Sequence, residues 1–525
     1  MANKSLFQTI AGALLPKADT LNEAWGLAYK MSPKQALAQY AVSGCLNGTF
    51  YASAAEQLDV LLELARQVEP EFVARTAIYA RTEAHMKDMP ALLCALLSVK
   101  GPGLLAEVFD RVIDSPKMLR NFVQIMRSGV VGRKSLGTLP KRLILQWLES
   151  RSHEQLFVGS VGSDPSLADV IRMVHPKPAD GIRGALFAYL IGRPHPHEAL
   201  PELVRQYEKF KRNTNPGRVA IPDVPFEMLT SLALTKDDWR QIARNASWQM
   251  TRMNLNTFLR HGVFEEDEMT HLIANRLRNP RKIAEARVFP YQLMTAYANV
   301  AAGVPASIRE ALQDAMEIAI KNVPRVRGKV FVFPDVSGSM HSPLTGYRPG
   351  ATSVVRCLDV AALIAASSLR QNPEAEVIPF ESKIVNVQLN PRDTVMTNAQ
   401  RLASLPSGGT NCSAPLRHLN QRYAKGDLIV YVSDNESWVD TPIHGRFGGG
   451  PTQTMKEWAT FKQRNPEAKM ICIDLQPYAN TQAKERADIV NVGGFSDQVF
   501  RLMGDVANGR FGKDHWVQTI EAVRL

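Results

Sequence analysis

The sequence lacks paired cysteines and long uninterrupted apolar runs. Its five cysteines are scattered through 525 residues without a CxxC pair, so neither disulfides nor the spacing of a structural zinc site is expected. No apolar run reaches the roughly 18 residues that a membrane-spanning helix needs. The apolar stretch near the N-terminus is too broken for a secretory signal peptide. These absences predict a protein of the cytoplasm with reduced thiols and no membrane segment.

The length of the chain indicates more than one domain, because a domain ordinarily takes about 100 to 200 residues. A hydrophobic content of 45% with 22% charged residues is typical of soluble globular proteins. The hydrophobic pattern changes after Arg325. We therefore predict two domains, residues 1–325 and residues 326–525.

The first domain is predicted to be helical. Residues 22–321 repeat apolar side chains at helical spacing, as in AAEQLDVLLELARQV, MPALLCALLSV and LLAEVFDRVID. Breaks such as KGPG and DSP separate the segments, and strand-like alternation is almost absent, so a sheet is improbable here. A HEAT-like α-helical repeat array fits this succession, and an irregular helical bundle is the open alternative.

The second domain is predicted to be a doubly wound α/β fold. The segments GKVFVFPD, EVIPF, DLIVYVSD and AKMICIDL are strand candidates, and helices such as TSVVRCLDVAALIAASSLR and PTQTMKEWATFKQ alternate with them. This alternation predicts a mostly parallel sheet with helices on both faces. Ligands of such sheets bind beyond the carboxyl ends of the strands.

Oxygen-bearing side chains follow three of these strand ends. Asp335, Ser337 and Ser339 stand at alternate positions in DVSGSM, Thr410 lies in PSGGTN, and Asp434 ends DLIVYVSD. Two carboxylates and three hydroxyls without His or Cys favour Mg²⁺, with Ca²⁺ or Mn²⁺ as alternatives, and do not suit zinc or iron. A Ser-rich turn that caps the following helix is the structural alternative. No nucleophile or general base accompanies the motif, so catalysis is not expected.

The net charge of +11 is concentrated in the first domain, where 40 basic residues face 32 acidic ones. Residues 115–148 contain no acid and carry Lys117, Arg120, Arg127, Arg133, Lys134, Lys141 and Arg142. Residues 239–264 contain no acid and carry Arg240, Arg244, Arg252 and Arg260. Such stretches are typical of nucleic-acid binding, although a solvated helix surface has the same composition.

The motifs of both domains together resemble one known family. DVSGSM with Thr410 and Asp434 resembles the metal-ion-dependent adhesion site of von Willebrand factor A domains. KRLILQWL, SLADVIRMVHPKP, RVFPYQLMTAY, SGGTNCSAPL and DLIVYVSDNESW are similar, in order, to segments of the Ro autoantigen family, the TROVE-domain ribonucleoproteins. The resemblance extends over nearly the whole chain.

The resemblance implies a ring of HEAT-like repeats closed by the A domain. It further implies binding of noncoding Y-like RNA on a basic outer surface, and of the single-stranded 3′ ends of misfolded or defective RNA in the central hole. The implied role is RNA quality control and RNA degradation or maturation, as a monomeric protein within a ribonucleoprotein and without enzymatic activity. An exoribonuclease such as polynucleotide phosphorylase is the implied partner.

The predicted RNA contacts combine the acid-free stretches with the segments that match the family. Leu167 departs from the histidine that the family has at this position. Trp147, Trp239 and Trp248 could stack on bases, but their apolar neighbours favour core positions. The predicted RNA-binding residues are Arg133, Lys134, Lys141, Arg142, Arg172, His175, Lys177, Arg252, Asn254 and Arg260.

Two other functions remain open on the sequence. One is a protein-interaction scaffold without RNA, in which the metal site captures an acidic partner. The other is a metal-dependent hydrolase or nuclease. His195 and His197 form a short cluster, but no companion ligands at a suitable spacing support zinc there.

Overall fold

The computed structural model describes residues 15–43, 46, 47, 49–162, 165–212, 220–230, 232–286, 288, 290–323, 325–347, 355–438, 450–494, 498–507, 509 and 514–525. These residues form two compact units. The helical unit comprises Glu69–Val288, Ala296–Ala315 and Val523–Leu525, and the sheet unit comprises Met1–Val68, Phe289–Thr295 and Met316–Ala522. The compact units thus combine distant parts of the chain, and the two domains expected at 1–325 and 326–525 stay a prediction.

Helices make up the helical unit, as the apolar periodicity predicted. Serine or threonine caps begin several of them; Ser152, Ser166 and Thr235 each form a capping box with the third residue of the helix. The helices wholly within this unit are α3 (Pro70–Thr82), α4 (Asp88–Lys100), α5 (Pro102–Val112), α6 (Pro116–Ser128), α7 (Thr138–Ser150), α8 (His153–Val158), α9 (Leu167–Val174), α10 (Gly181–Leu190), α11 (Glu202–Arg212), α12 (Phe226–Leu229), α13 (Lys236–Asn245), α14 (Trp248–Met253), α15 (Leu255–Arg260), α16 (Asp267–Leu277) and α17 (Pro280–Ala286).

The sheet unit contains all the strands that the structure describes. It begins with β1 (Thr20–Leu21), β2 (Leu27–Lys30), α1 (Pro33–Ser43) and α2 (Ala54–Gln67). Helices α18 (Pro290–Asn299) and α19 (Ala306–Ala319) contribute residues to both units. The remaining elements are β3 (Val330–Pro334), α20 (Cys357–Gln371), β4 (Glu376–Val377), α21 (Val395–Ala403), α22 (Ala414–Gln421), β5 (Leu428–Ser433), α23 (Gln453–Arg464), β6 (Lys469–Asp474), β7 (Asn480–Thr481), β8 (Ile489–Gly493), α24 (Gln498–Ala507) and α25 (His515–Glu521).

Five parallel strands in the order β4-β3-β5-β6-β8 form the central sheet. Every residue of β3 and β5 is buried. On one face, Phe331 and Tyr431 pack with Leu416 of α22 and Trp458 of α23, while α20 contacts β3 and β5. The predicted mixed fold, helical with a doubly wound α/β part, is confirmed. Strand β8 was not among the strands predicted from the sequence.

A second, three-stranded antiparallel sheet includes β2, although the sequence made a sheet improbable in residues 22–321. It has the order β1-β2-β7, and in it Tyr29 of β2 pairs with Thr481 of β7. The partner strand lies more than 400 residues away in the sequence. Local periodicity therefore gives no sign of the pairing.

Two buried arginines secure successive parts of the helical unit. Arg183 of α10 donates hydrogen bonds to the carbonyl oxygens of Leu148 and Arg151 at the end of α7. Arg276 of α16 donates to the carbonyls of Ala243 and Arg244 at the end of α13. A cation at the C-terminus of a helix satisfies carbonyls without helical partners and is stabilised by the helix dipole.

The predicted core tryptophans are buried in the same unit. Trp147 and Trp248 donate their indole N–H groups to the carbonyls of Ile113 and Leu277, and Trp239 is 5% exposed. Among the described residues, no helix combines the length and apolar composition needed to cross a bilayer.

We expect Arg276→Met to destabilise the helical unit by about 2–4 kcal/mol, because the change leaves the buried Ala243 carbonyl, the partly buried Arg244 carbonyl and the Thr251 hydroxyl without their charged donor. Urea denaturation followed by circular dichroism measures the change. The control is Arg281→Met at an exposed position of α17, which should leave the midpoint nearly unchanged. An unaltered midpoint for Arg276→Met would contradict the assigned role.

Candidate functional site

Three loops bring the five predicted metal ligands to one edge of the parallel sheet, but only two of the loops follow strands: Thr410 lies between α21 and α22 and not at the strand end that the sequence predicted. Asp335 directly follows β3, and Ser337 and Ser339 lie in the turn that leads away from it. Asp434 directly follows β5, the neighbouring strand, and Thr410 precedes α22. Because β3 and β5 are parallel and adjacent, their carboxyl ends meet at this edge.

Hydrogen bonds around Asp335 shape the first loop. The Ser337 amide donates to Oδ1 of Asp335 at 2.8 Å, and the Ser433 hydroxyl donates to Oδ2 at 2.6 Å. The hydroxyl oxygens of Ser337 and Ser339 lie 3.3 Å apart. One carboxylate and two hydroxyl oxygens therefore converge, as the alternation in DVSGSM predicted.

Backbone hydrogen bonds tie the three loops together. The Gly338 amide donates to the carbonyl of Gly408 at 2.9 Å, which joins the first loop to the Thr410 loop. The Trp438 amide donates to the carbonyl of Thr410 at 3.3 Å, which joins that loop to the one after β5. The position of each loop thus depends on the other two.

The five side chains are buried, and Ser339 is the most exposed of them at 4%. Burial raises the pKa of Asp335 to about 7, and the nearby charge of Asp434 contributes to the increase. Burial also raises the pKa of Asp434, although a hydrogen bond from Ser339 opposes the increase. Oδ2 of Asp434 is buried and has no hydrogen-bond partner.

This arrangement fits a divalent cation. Both carboxylates are buried and the charge of Asp434 raises the pKa of Asp335, so the pair favours a neutralising charge, and the unpartnered Oδ2 of Asp434 offers a hard oxygen ligand. Among the described residues, no three His, Cys, Asp or Glu side chains cluster as metal ligands. A cation here would therefore depend on the hydroxyls as well as the carboxylates, a set that suits Mg²⁺ better than zinc.

A cavity of about 640 Å³ in the helical unit collects three of the predicted RNA-binding residues. Lys134, Lys141 and Arg142 line it, together with Arg127. No ion pair joins any of these four cations to a described acidic side chain. Apolar side chains complete the wall, namely Leu136, Leu145 and Met173.

The turn between α6 and α7 positions these cations. Gly129 ends α6 in the left-handed conformation, with φ of 88°, which glycine adopts without strain. A Cβ at Gly129 would lie 3.3 Å from the side chain of Lys134, so the glycine also leaves room for the lysine. Lys141 and Arg142 follow near the start of α7, which begins at Thr138. Arg127 belongs to the acid-free stretch but was not among the predicted RNA contacts, and the apolar wall was not predicted.

The other predicted residues on α9 and before α7 have mixed surroundings. Arg133 is half-buried and donates to the carbonyl of Ser98 at 3.2 Å. Arg172 is exposed but pairs with Asp169 at 3.2 Å. His175, which ends α9 in the left-handed conformation, and Lys177 are both exposed. None of the four lines the cavity.

The predicted residues on α14 and α15 also lie outside the cavity. Asn254 donates its side-chain amide to the carbonyl of Met250 and thereby serves the end of a helix. Arg260 is exposed, and Arg252 is half-buried. Leu167, which replaces the family's histidine, is fully buried in α9.

The second stretch without acidic residues, 239–264, has acidic side chains from other segments beside it in the folded structure. Arg240 pairs with Asp237 at 2.7 Å and with Glu266 at 3.1 Å, and Arg244 pairs with Glu268 at 2.9 Å. Neutralised arginines attract phosphates less than free ones. The first acid-free stretch is thus the better candidate for an anion-binding surface.

The histidine cluster gains no support as a zinc site. Nδ1 of His195 lies 2.8 Å from the carbonyl oxygen of Arg193, and its ring contacts Tyr189. Among the described residues, no third His, Cys, Asp or Glu joins His195 and His197 in a metal-binding cluster.

Comparison with known proteins finds a match for the C-terminal residues and a similar protein over nearly the whole chain. Residues 329–507 match the family model of the Ro60 vWA domain. The chain is 24% identical, over 545 residues, to the RNA-binding protein RO60 of Deinococcus radiodurans, covering 96% of this chain and 99% of the relative. The crystal structure of the Deinococcus radiodurans Ro protein aligns with a TM-score of 0.61 at 21% identity, over 91% of this chain and all of that one. The structural likeness supports the fold.

We expect Mg²⁺ to raise the melting temperature of the wild-type protein and to have no such effect on Asp335→Asn. A ligand at 100 times its dissociation constant stabilises the folded state by about 2.7 kcal/mol. Without metal, the variant should be at least as stable as the wild type, because it removes one of two buried like charges. Asp393→Asn, at a partly exposed carboxylate of the same unit, is the control. Equal Mg²⁺ shifts in wild type and Asp335→Asn would contradict the site.

Proposed function

We propose that this chain, which belongs to the Ro family, binds RNA through the basic cavity of its helical unit. The Ro60 type of A domain and the full-length likeness to a Ro relative confirm the resemblance predicted from the motifs. The relative carries the name RNA-binding protein. The observation that supports the proposal most directly is the convergence of Arg127, Lys134, Lys141 and Arg142 on one cavity.

The chemistry of the cavity suits a nucleotide chain. Four cations without an ion pair to any described acidic side chain attract phosphates from RNA of any sequence and release counterions on binding, so that affinity falls steeply with salt. The apolar side chains of Leu136, Leu145 and Met173 offer a surface for an unstacked base. The hydroxyls of Ser135 and Thr138 lie on the same wall and add hydrogen-bonding groups. A single-stranded or locally unpaired RNA segment can contact the cations, the apolar side chains and the hydroxyls at the same time.

The finer parts of the proposal come from the family resemblance. The RNAs are small noncoding Y-like RNA and the single-stranded 3′ ends of misfolded or defective RNA. The protein acts in RNA quality control as a monomer within a cytoplasmic ribonucleoprotein. An exoribonuclease such as polynucleotide phosphorylase supplies the degradation or maturation step.

The metal site has a structural role in this proposal and no catalytic one. Asp335, Ser337, Ser339, Thr410 and Asp434 hold Mg²⁺, which neutralises the two carboxylates. A protein-interaction scaffold without RNA is the weaker alternative, because all five ligands are buried and an acidic partner needs access to the ion.

Removing the cavity charges should weaken RNA binding at every salt concentration. We expect Lys134→Gln, Lys141→Gln and Arg142→Gln together to lower affinity at least about tenfold at low salt, and to reduce the slope of log affinity against log salt by about 2. Fluorescence anisotropy with a structured RNA that carries a single-stranded 3′ tail, measured from low to moderate salt, gives both quantities.

The control removes three exposed charges elsewhere in the helical unit, by Lys209→Gln, Arg281→Gln and Lys282→Gln. It changes the net charge equally, so an equal loss of affinity in both triple variants would assign binding to overall charge and not to the cavity. Wild-type protein that fails to bind the RNA even at low salt would refute the proposed function itself.

The absence of catalysis is tested with the same RNA. We expect the labelled RNA to remain intact during prolonged incubation with wild-type protein and fresh Mg²⁺, because no general base accompanies the predicted ligands. Gel electrophoresis monitors its length, with Asp335→Ala as the control. Cleavage that requires Asp335 would establish a metal-dependent nuclease.

A further inference from the structure

The basic cavity of the helical unit concentrates more positive charge than one internal phosphate of an RNA can neutralise. No ion pair joins its cations to a described acidic side chain. Each internal phosphate of a nucleic-acid backbone carries a single negative charge. The cavity therefore fits a ligand that carries several negative charges within a short distance. Its four cations are Arg127, Lys134, Lys141 and Arg142.

The size of the cavity suits one nucleotide. Its volume of about 640 Å³ lies within the range of roughly 300–1,000 Å³ that is usual for small-molecule pockets. A stretch of double helix is larger than this space. The apolar side chains of Leu136, Leu145 and Met173 lie on the wall, where a base can pack against them. One nucleotide with an adjoining group of phosphates would contact both the apolar and the charged part.

The start of α7 opens on the same cavity. Gly137 precedes the first helical residue, Thr138, and both line the cavity. Among the described residues, no side chain caps this helix start, so N–H groups of the first turn are left for another acceptor. A phosphate oxygen is an acceptor that the positive end of a helix favours. These N–H groups add to the attraction that the four side chains exert.

The two kinds of cation suit a group of linked phosphates. Each arginine can donate two parallel hydrogen bonds to one phosphate, whereas each lysine acts as a point charge on a flexible stem. Arg127, Lys134 and Arg142 are exposed, and Lys141 is half-buried. The charged groups are thus accessible to a ligand that enters from solvent.

A 5′-triphosphate matches these cations better than an internal phosphate does. Its two inner phosphates carry one negative charge each, and its terminal phosphate carries about 1.5 to 2 at pH 7. The total approaches the charge of the four cations that line the cavity. An RNA end with a free hydroxyl has no comparable group of charges.

We propose that the basic cavity binds the 5′-terminal nucleotide of an RNA, with the triphosphate on the four cations and the base against the apolar wall. The proposal rests on the proposed RNA binding by this cavity and adds which part of the RNA enters it. Transcription leaves a triphosphate on the first nucleotide of an RNA, and cleavage of the 5′ end removes it. The site therefore distinguishes unprocessed transcripts from processed RNA.

One RNA with three different 5′ ends tests the proposal on the full chain. It is structured, carries a fluorescent label at its single-stranded 3′ end, and begins with a 5′-triphosphate, a 5′-monophosphate or a 5′-hydroxyl. Fluorescence anisotropy gives the affinity for each RNA, and unlabelled ATP and inorganic tripolyphosphate serve as competitors. The cavity variant combines Lys134→Gln, Lys141→Gln and Arg142→Gln. The control variant combines Lys209→Gln, Arg281→Gln and Lys282→Gln at exposed positions of the same unit.

The wild type and the control variant should bind the triphosphate RNA at least about tenfold more tightly than the hydroxyl RNA at low salt, because each added phosphate charge neutralised by the protein releases counterions. The monophosphate RNA should lie between them. The cavity variant should lose most of this preference. ATP should displace the triphosphate RNA at lower concentration than tripolyphosphate does, because its base adds a contact with the apolar wall.

Equal affinity of the wild type for the three RNAs would overturn the end-binding proposal and leave the proposed RNA binding intact. A preference that persists in the cavity variant would place the triphosphate elsewhere on the protein and would contradict the proposal as well. Displacement by ATP without a preference among the RNA ends would make the cavity a site for free nucleotides and not for an RNA end. A wild type that binds none of the three RNAs would refute the proposed function itself.

Discussion

Two like charges buried together are the constraint on which the sheet unit depends. Asp335 and Asp434 lie at the ends of adjacent parallel strands, and each is at most 1% exposed. Hydrogen bonds from Ser433 and from the Ser337 amide offset part of the cost of burying Asp335, but a hydrogen bond does not remove a charge. Neutralisation requires a bound cation or a proton. The serine and threonine hydroxyls favour a cation, because they supply additional oxygen ligands.

The convergence of Asp335, Ser337, Ser339 and Asp434 could be predicted because the sequence patterns that indicate it are local. The alternation of Asp335, Ser337 and Ser339 places three oxygens on one side of a turn, and the parallel strands bring Asp434 to the same edge. Burial could not be predicted, because the residues that cover the loops are far away in the sequence. Asn22 and Ser437, for example, are 415 positions apart. The strand β2 escaped prediction for the same reason, since β7 supplies its partner.

The two stretches without acidic residues show when composition predicts a free positive surface and when it does not. Lys134, Lys141 and Arg142 converge because one tight turn and one helix start place them, and both are readable from the sequence. Arg240 and Arg244 looked equivalent, yet Glu266 and Glu268 neutralise them from the start of the next long helix, α16. An acid-free run therefore predicts a free positive surface only when no acid from another element reaches it.

The two candidate sites place opposite demands on their surroundings. The basic cavity keeps its cations at the solvent, where they can meet phosphates and where salt screens them over about 8 Å at physiological ionic strength. The metal site keeps its carboxylates away from solvent, where screening is weak and a single ion dominates the local electrostatics. Salt should thus regulate the proposed RNA binding without displacing the proposed cation.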